Sequence, residues 1–167
     1  GRDFVHCIRV YQGHIWIGTE SGGIACLAPQ RLLLRNSVHT SDPRSLSPNP
    51  VNAMLIEPDG RLWVGTVEGG LTLREKGTAD FVHYTTANSG LSHNSVSALV
   101  ADDKGHLWTG TWGGGLNVVD LSSRVVQRVE MIADHARLTN FIGALAYDAI
   151  NDALWIGSND GVFLYTT

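Results

Sequence analysis

The stretch Leu107–Leu116 reads LWTGTWGGGL, and the pattern of its first five residues recurs three more times along the 167-residue chain. The other copies are IWIGT, LWVGT and LWIGS, which begin at Ile15, Leu62 and Leu154. Successive copies place their tryptophans 47, 45 and 47 residues apart, and a glycine stands six residues after each tryptophan. A period of this length is typical of architectures in which one small supersecondary unit packs against the next.

Each repeat unit predicts a four-stranded antiparallel meander. A short apolar run precedes a turn that contains Gly, Asn or Asp, and such turns favour β-hairpins. The tryptophan strand and a third strand follow, and a more polar fourth strand is predicted at residues 31–35, 81–85 and 125–131. The first two strands are apolar at nearly every position, which indicates that both faces of each sheet are covered. We therefore predict an all-β fold of β-propeller blades, with four four-stranded meanders of which the last is incomplete.

The chain is predicted to be a single propeller segment, residues 1–167, with blades at about 1–36, 49–86, 94–131 and 140–167. The fourth unit ends after its third strand, and too few residues precede Val5 for a strand that would complete that unit. Because an unpaired sheet edge favours association, we expect either further blades of a larger ring or self-association. A strained ring of four blades is the alternative.

Residues that recur in every unit are interpreted as structural. A tryptophan can fill the wide gap between two sheets, and its N–H needs one hydrogen-bond acceptor. The glycine two residues later would let the next sheet approach closely. These positions are Trp16, Trp63, Trp108, Trp155, Gly18, Gly65, Gly110 and Gly157. The glycine pairs at 22–23, 69–70 and 114–115 are expected to adopt backbone angles that other residues resist. A turn that bonds its own backbone is expected before each first strand, at Asp3, Asn49, Asn94 and Asn140.

The composition argues against several classes of protein. The net charge is −4 and the few Lys and Arg residues are scattered, whereas nucleic-acid binding needs a clustered basic face. No apolar run is long enough to span a bilayer. The cysteines, Cys7 and Cys26, and the histidines show no metal-site spacing, so we expect no metal and no cofactor. The repeat register places a strand between the two cysteines, which predicts buried free thiols.

The second unit reads DGRLWVGT from Asp59, continues with Gly-Gly-Leu at residues 69–71, and is flanked by Asn49-x-Val51 and Phe81-x-x-Tyr84. This pattern resembles the two-component regulator propeller repeat, and the third unit matches equally well from Leu91 to Leu116. The first unit departs from the pattern because it lacks an Asp-Gly turn. The fourth departs because Val162 stands where a second glycine is expected.

The resemblance implies a periplasmic or otherwise extracytoplasmic sensor region of a bacterial membrane-bound histidine kinase, often of the hybrid kind. Sensor regions of this family carry many more blades than four, and several of them sense carbohydrate-type ligands. The resemblance therefore implies a small-molecule or glycan ligand for this chain.

Residues that differ between units are the candidates for function. In a propeller, the turns between second and third strands lie on the same face as the loops that join one blade to the next. Together they are predicted to form a rim that carries Trp112, Glu68, Glu20, His93 and Asp160. An aromatic plate beside carboxylates suits a sugar, which offers an apolar face and many hydroxyls. Alternatively, these five residues are ordinary solvated turn residues. Trp112 fits that alternative least, because an exposed tryptophan in a turn is unusual.

Three functions fit such a rim. The first is a ligand-binding or signalling segment that has no catalytic residues. The second is a lyase or hydrolase in which rim residues act as acids and bases, namely Glu20, Glu68, His93 and Asp160. A carboxylate and a histidine within about 3 Å of each other would favour that enzyme. The third is a scaffold that mediates protein association. His6, on the innermost strand, is expected to face the central channel.

Overall fold

A computed structural model of the protein describes residues 3–28, 33–48, 50–130 and 140–166. These residues form four antiparallel sheets, each a meander in which consecutive strands are hydrogen-bonded neighbours. They contain no helix, and hence none that could span a membrane. The prediction of an all-β fold made of propeller blades is confirmed, and the last blade has three strands in the described part of the chain.

The strands follow one another in chain order, blade by blade. The first blade contains β1 (Val5–Tyr11), β2 (His14–Thr19), β3 (Ile24–Ala28) and β4 (Leu33–Ser37). The second contains β5 (Val51–Ile56), β6 (Leu62–Thr66), β7 (Gly70–Arg74) and β8 (Phe81–Tyr84). The third contains β9 (Val96–Ala101), β10 (His106–Thr111), β11 (Gly115–Asp120) and β12 (Val126–Arg128), and the fourth contains β13 (Ile142–Asp148), β14 (Ala153–Ser158) and β15 (Gly161–Thr166). The predicted fourth strands correspond to β4, β8 and β12, although residues 31, 32 and 131 lie outside the described residues.

Each inner blade packs one face against the blade before it and the other against the blade after it. The face that carries the repeat tryptophan is called the trailing face, and the opposite one the leading face. Trp63, on the trailing face of the second blade, packs with Val96 and Leu107 of the third blade in one apolar cluster. Trp16 and Trp108 lie in the corresponding clusters at the other two junctions. Because the inner blades are covered on both faces, their first two strands show no polar alternation.

The glycine two residues after each tryptophan permits this close packing. A Cβ atom on Gly65 would overlap the side chain of Val96 on the next blade. The corresponding glycines at the other two junctions are Gly18 and Gly110. Gly157 in the last blade differs, since a Cβ atom there would make only an ordinary contact of 3.4 Å with Ala144. The need for glycine therefore arises from the neighbouring blade and not from the strand itself.

The turn after the tryptophan strand uses a glycine with a positive φ angle. In the first three blades this is the second glycine of the pair, with φ of 75°, 80° and 77°. In the fourth blade Ser158 pairs with Gly161, as Thr66 pairs with Gly70 in the second blade. Gly161 therefore corresponds to the second glycine, and the turn is one residue shorter. The placement of Val162 at that position, made from the sequence, is wrong.

The polar residue before the first strand ties one blade to the next. Asn94 Oδ1 accepts a hydrogen bond from the Thr86 N–H at 2.9 Å, within the loop that joins the second and third blades. The Asn94 carbonyl accepts a second one from the Gly70 N–H of the preceding blade at 2.8 Å. Asn94 thus bonds its own loop, as expected, and also links two blades, which the sequence does not predict. Asn49 lies outside the described residues.

Both cysteines are free thiols. Cys7 lies on β1 opposite Gly18, and Cys26 lies on β3 opposite Trp16, so β2 separates them. The expectation of buried thiols is corrected, because both side chains are only partly buried. Burial nevertheless raises the pKa of both thiols, which keeps them protonated and unreactive at neutral pH.

The two outer faces of the four-blade array are apolar and exposed. On the leading face of the first blade, Ile8 and Val10 are exposed. On the trailing face of the fourth blade, Trp155 is 44% exposed and Leu164 is 52% exposed, whereas Trp63 of an inner blade is fully buried. The outer faces thus carry the same kind of side chains as the three junctions inside the array.

Candidate functional site

The rim of the array is the end at which the β2–β3, β6–β7, β10–β11 and β14–β15 turns meet the loops that join successive blades. At the β6–β7 turn, the Gly69 carbonyl accepts a hydrogen bond from Ser47 Oγ, in the loop before the second blade, at 3.0 Å. At the β10–β11 turn, a Cβ atom on Gly114 would overlap Ser92 in the loop before the third blade. The structure therefore places these turns and loops on one face.

A buried serine brings three of the five candidate residues together. Ser95, which is 7% exposed, accepts a hydrogen bond at Oγ from the Glu68 N–H (3.3 Å) and one at its carbonyl from the Trp112 N–H (2.9 Å). The Ser95 N–H donates to His93 Nδ1 at 3.0 Å. Because Nδ1 accepts, the neutral His93 ring carries its proton on Nε2. Glu68, His93, Ser95 and Trp112 are called the Ser95 cluster.

An exposed aromatic pair extends this cluster toward the fourth blade. Trp112 and Phe141 form an isolated antiparallel β-bridge, which sets their side chains next to each other. Trp112 is 50% exposed and Phe141 is 51% exposed. Phe141 is not among the residues predicted from the sequence, because an aromatic residue directly before an apolar strand looks like part of that strand's core.

A cavity of about 500 Å³ opens on the rim beside Glu68. On its wall, Ser47 Oγ lies 2.8 Å from His83 Nδ1, and the same hydroxyl donates to the Gly69 carbonyl. The single proton of the Ser47 hydroxyl is used in the hydrogen bond to Gly69. His83 Nδ1 is therefore protonated and donates the second hydrogen bond to Ser47 Oγ. Ser47 is only 2% exposed, so this pair is a structural contact and does not form a nucleophile with its base.

The remaining two candidates, Glu20 and Asp160, lie in the turns of the first and fourth blades. Glu20 Oε2 contacts His6 Nε2 on the innermost strand, and both side chains are partly exposed. A carboxylate–histidine contact is the feature that would favour an enzyme, but the histidine is His6 and not the predicted His93. Asp160 is exposed, and its N–H donates to Ser158 Oγ at 3.2 Å.

The rim offers a carboxylate, an imidazole and two aromatic rings as binding groups. Glu68 has φ of 60°, a left-handed conformation that few residues other than glycine adopt. Such strained positions cluster at binding and catalytic sites, and here the hydrogen bond to Ser95 holds the strained residue in place. Within the described ranges, no group of three or more His, Cys, Asp or Glu side chains could hold a metal ion. The groups at the rim can form hydrogen bonds and stack on an apolar face.

Two segments of the chain match a known family. The family profile described as Two component regulator propeller matches residues 45–68 and 90–113, which include the tryptophan strands of the second and third blades. The chain carries two component regulator propeller repeats. The resemblance seen in the sequence is thereby confirmed, and the first and fourth blades repeat the same meander.

Solved structures show the same arrangement as these two component regulator propeller repeats. The extracellular domain of BT3049, described as a hybrid two component system of B. thetaiotaomicron, is 22% identical and has a TM-score of 0.82 over 98% of this chain and 22% of that one. The extracellular domain of BT4673, described likewise and from the same organism, is 22% identical, with a TM-score of 0.78 over 98% of this chain and 21% of that one.

A computationally designed protein, Ika4, is also similar, at 14% identity and a TM-score of 0.73 over 99% of this chain and 92% of that one. No curated protein sequence matches the chain. The chain spans about a fifth of the length of the two extracellular domains. At these identities the similarities establish the propeller fold.

Proposed function

We propose that these repeats form a ligand-sensing segment of a bacterial two-component signalling protein, that the segment lies outside the cytoplasm, and that its rim binds a carbohydrate. The sensor role and the location are supported by the two component regulator propeller repeats and by the likeness to extracellular domains of hybrid two component systems. The rest of the signalling protein, including a kinase, is part of this proposal.

The exposed pair Trp112 and Phe141 carries the carbohydrate part of the proposal. A sugar ring has an apolar face that stacks on aromatic rings, and its hydroxyls need hydrogen-bond partners. Hydrogen bonds with Ser95 hold Glu68 and His93 close to Trp112. The Glu68 carboxylate can accept from sugar hydroxyls and His93 Nε2–H can donate to them, so the rim supplies stacking and hydrogen bonds together.

Titration calorimetry with neutral cello-, manno- and xylo-oligosaccharides tests this site. At least one should bind, and Trp112→Ala should weaken it about tenfold, equivalent to a loss of about 1.4 kcal/mol of binding energy. Ile150→Ala is the matched control, because Ile150 is an exposed apolar residue in the turn at the opposite end of the blades. Unchanged affinity after Trp112→Ala would remove the rim from the proposal.

A glycan-degrading enzyme is the second candidate, and the contact between Glu20 and His6 favours it. A carboxylate beside an imidazole can relay a proton in a lyase or a hydrolase. The test is release of shorter products from the same oligosaccharides by wild type and by Glu20→Gln. If Glu20→Gln abolishes turnover and Glu68→Gln preserves it, the result supports the enzyme. If the wild type shows no turnover, the enzyme is rejected and ligand binding remains as the proposed function.

We also propose that the outer faces bind further blades or a second copy of the chain. In all three junctions inside the array, a trailing face packs on a leading face. The exposed trailing face with Trp155 and the exposed leading face with Ile8 form the same kind of pair. This association is also what a scaffold function would need.

A further inference from the structure

A carboxylate accepts the indole N–H of the repeat tryptophan in the second and third blades, and a carboxylate stands at the same place in the fourth blade. Each carboxylate stands at the end of the first strand of its blade or directly after it. The pairs are Glu57 with Trp63 (2.7 Å) and Asp102 with Trp108 (3.0 Å), and Asp148 stands at the corresponding register position in the fourth blade. The acceptor that the tryptophan requires is therefore built into the second and third blades.

The first blade lacks this carboxylate. Tyr11 occupies the corresponding position, at the end of β1, where it pairs with His14 across a tight turn. Its hydroxyl donates to the Pro58 carbonyl of the second blade at 2.8 Å. Trp16 Nε1 is buried and has no hydrogen-bond partner among the described residues. An unpaired buried N–H is unfavourable, so the first blade lacks a stabilising contact that the second and third blades have.

A cavity of about 590 Å³ lies beside Trp16, between the first and second blades and at the end opposite to the rim. Its walls are the β1–β2 turn, part of β3 and the β7–β8 turn. Three cationic side chains also line it, namely Arg35, Arg74 and Lys76. Cavities of this size hold small organic ligands, whereas an inorganic ion would fill only a small part of the space.

Arg74 links the cavity to the tryptophan. Its guanidinium carbon lies 5.0 Å from the centroid of the Trp16 ring and 5.9 Å from that of Phe81. Burial lowers the pKa of the Arg74 guanidinium, and the neighbouring Cys26 partly offsets this effect. A charge that has lost part of its hydration gains more from a bound anion than a fully solvated charge does.

No carboxylate of the described residues forms an ion pair with Arg35, Arg74 or Lys76. Glu75 is the acidic residue among those that line the cavity, and its carboxylate pairs with Arg124. The cavity is therefore positively charged although the chain as a whole carries a charge of −4. This local charge favours an anionic ligand.

We propose that this cavity binds a small organic molecule through a carboxylate, which pairs with Arg74 beside Trp16 and with Arg35 and Lys76. The second blade contains the model for this recognition. There, the two Glu57 oxygens accept hydrogen bonds from the Trp63 indole and from the Arg61 guanidinium, each at 2.7 Å. The site lies at the opposite end from the rim and does not depend on carbohydrate binding there.

Sodium D-glucuronate and D-glucose are matched probes, because they differ only in the carboxylate at C6, and sodium sulfate tests for charge alone. Calorimetry on the chain should show glucuronate binding, with glucose and sulfate at least about tenfold weaker, since a charge-assisted pair is lost or misplaced. Arg74→Gln should weaken glucuronate binding about tenfold or more. Arg44→Gln, at an exposed arginine in the loop before the second blade, should leave it unchanged.

Equal affinity for glucose or for sulfate would overturn the proposal, because the carboxylate would then not be what the cavity recognises. The absence of any heat of binding up to about 10 mM glucuronate would overturn it too. Unchanged glucuronate affinity in a folded Arg74→Gln variant would also overturn the proposal. If circular dichroism shows that this variant does not fold, a double variant with Arg35→Gln and Lys76→Gln replaces it, because both side chains are exposed. Unchanged glucuronate affinity in the double variant would then overturn the proposal.

Discussion

In the second and third blades, one carboxylate holds the repeat tryptophan. In the third blade, Asp102 accepts hydrogen bonds from the Trp108 indole, from the ring and the N–H of His106, and from the Lys104 N–H. Burial alone would raise the pKa of Asp102, but these hydrogen bonds hold it below its ordinary value of 3.8. The folded state therefore favours the charged form of this side chain.

Asp102→Asn should lower the free energy of unfolding at about pH 5.5 by about 1–3 kcal/mol, because an amide cannot accept all of these hydrogen bonds. A carboxylate with a lowered pKa stabilises the fold above its unfolded pKa, and the contribution is lost as pH falls through the folded pKa. In urea unfolding, the difference from wild type should shrink between about pH 5.5 and about pH 2.5. A difference in unfolding free energy that stays constant with pH would contradict this. Asp160→Asn is the control, because its carboxylate is exposed, and it should change stability by less than about 0.5 kcal/mol.

The glycine after the tryptophan gives a second prediction for single residues. Gly65→Ala should destabilise the fold by about 1–3 kcal/mol, because the new Cβ overlaps Val96 across the blade junction. Gly157→Ala, in the same place on the last blade, should be nearly neutral, since its Cβ meets only Ala144 at 3.4 Å. Thermal unfolding measures both. Equal losses would show that the strand, and not the neighbouring blade, requires glycine.

Substitutions of two turn glycines in the second blade distinguish the cost of backbone strain from the cost of steric overlap. Gly70 and Gly77 both have φ of 80°. A Cβ atom on Gly70 would overlap the Tyr84 carbonyl on β8, whereas nothing lies within 4 Å of one on Gly77. Gly77→Ala should cost about 1–2 kcal/mol for the left-handed conformation alone, and Gly70→Ala should cost clearly more. Chemical denaturation of both variants checks this, and matching losses would contradict it.

The strands and their order could be predicted from the sequence because hydrophobic runs and turn residues are local signals. The lengths of the turns could not. At this position of the strand register, Glu57 and Asp102 stand six residues before the tryptophan, Asp148 stands seven before it, and Tyr11 stands five before Trp16. A comparison of the units at fixed spacing hides this position, and only the strand register shows that the first blade lacks its carboxylate.

Part of the rim could likewise be predicted. Glu68 and Trp112 belong to turns, and successive turns of a meander lie at alternate ends of the sheet, so the sequence is enough to place them on one face. The roles of Ser95 and Phe141 could not be predicted. Backbone hydrogen bonds and a single β-bridge bring these residues to the site, and such contacts leave no pattern in the side chains.

For the whole molecule, the exposed outer faces predict self-association of this chain. Light scattering after size exclusion should show a mass that rises between about 10 and about 200 µM, as apolar surface is buried between copies. Trp155→Glu should abolish the rise by placing a charge in that contact, while Ile150→Glu, in an exposed turn, should not. A mass of one chain at every concentration would contradict association between copies.

Binding at the rim is the central functional claim, and the five tryptophans allow one measurement to test it. In a ¹⁵N–¹H spectrum, each indole N–H gives its own signal, which Trp→Phe variants assign. Titration with the neutral oligosaccharide that binds best should shift the signal of the exposed Trp112. The signals of Trp63 and Trp108, whose N–H groups are buried and hydrogen-bonded, should stay in place. A saturating oligosaccharide that leaves the Trp112 signal unmoved, or that moves only other indole signals, would contradict carbohydrate binding at the rim.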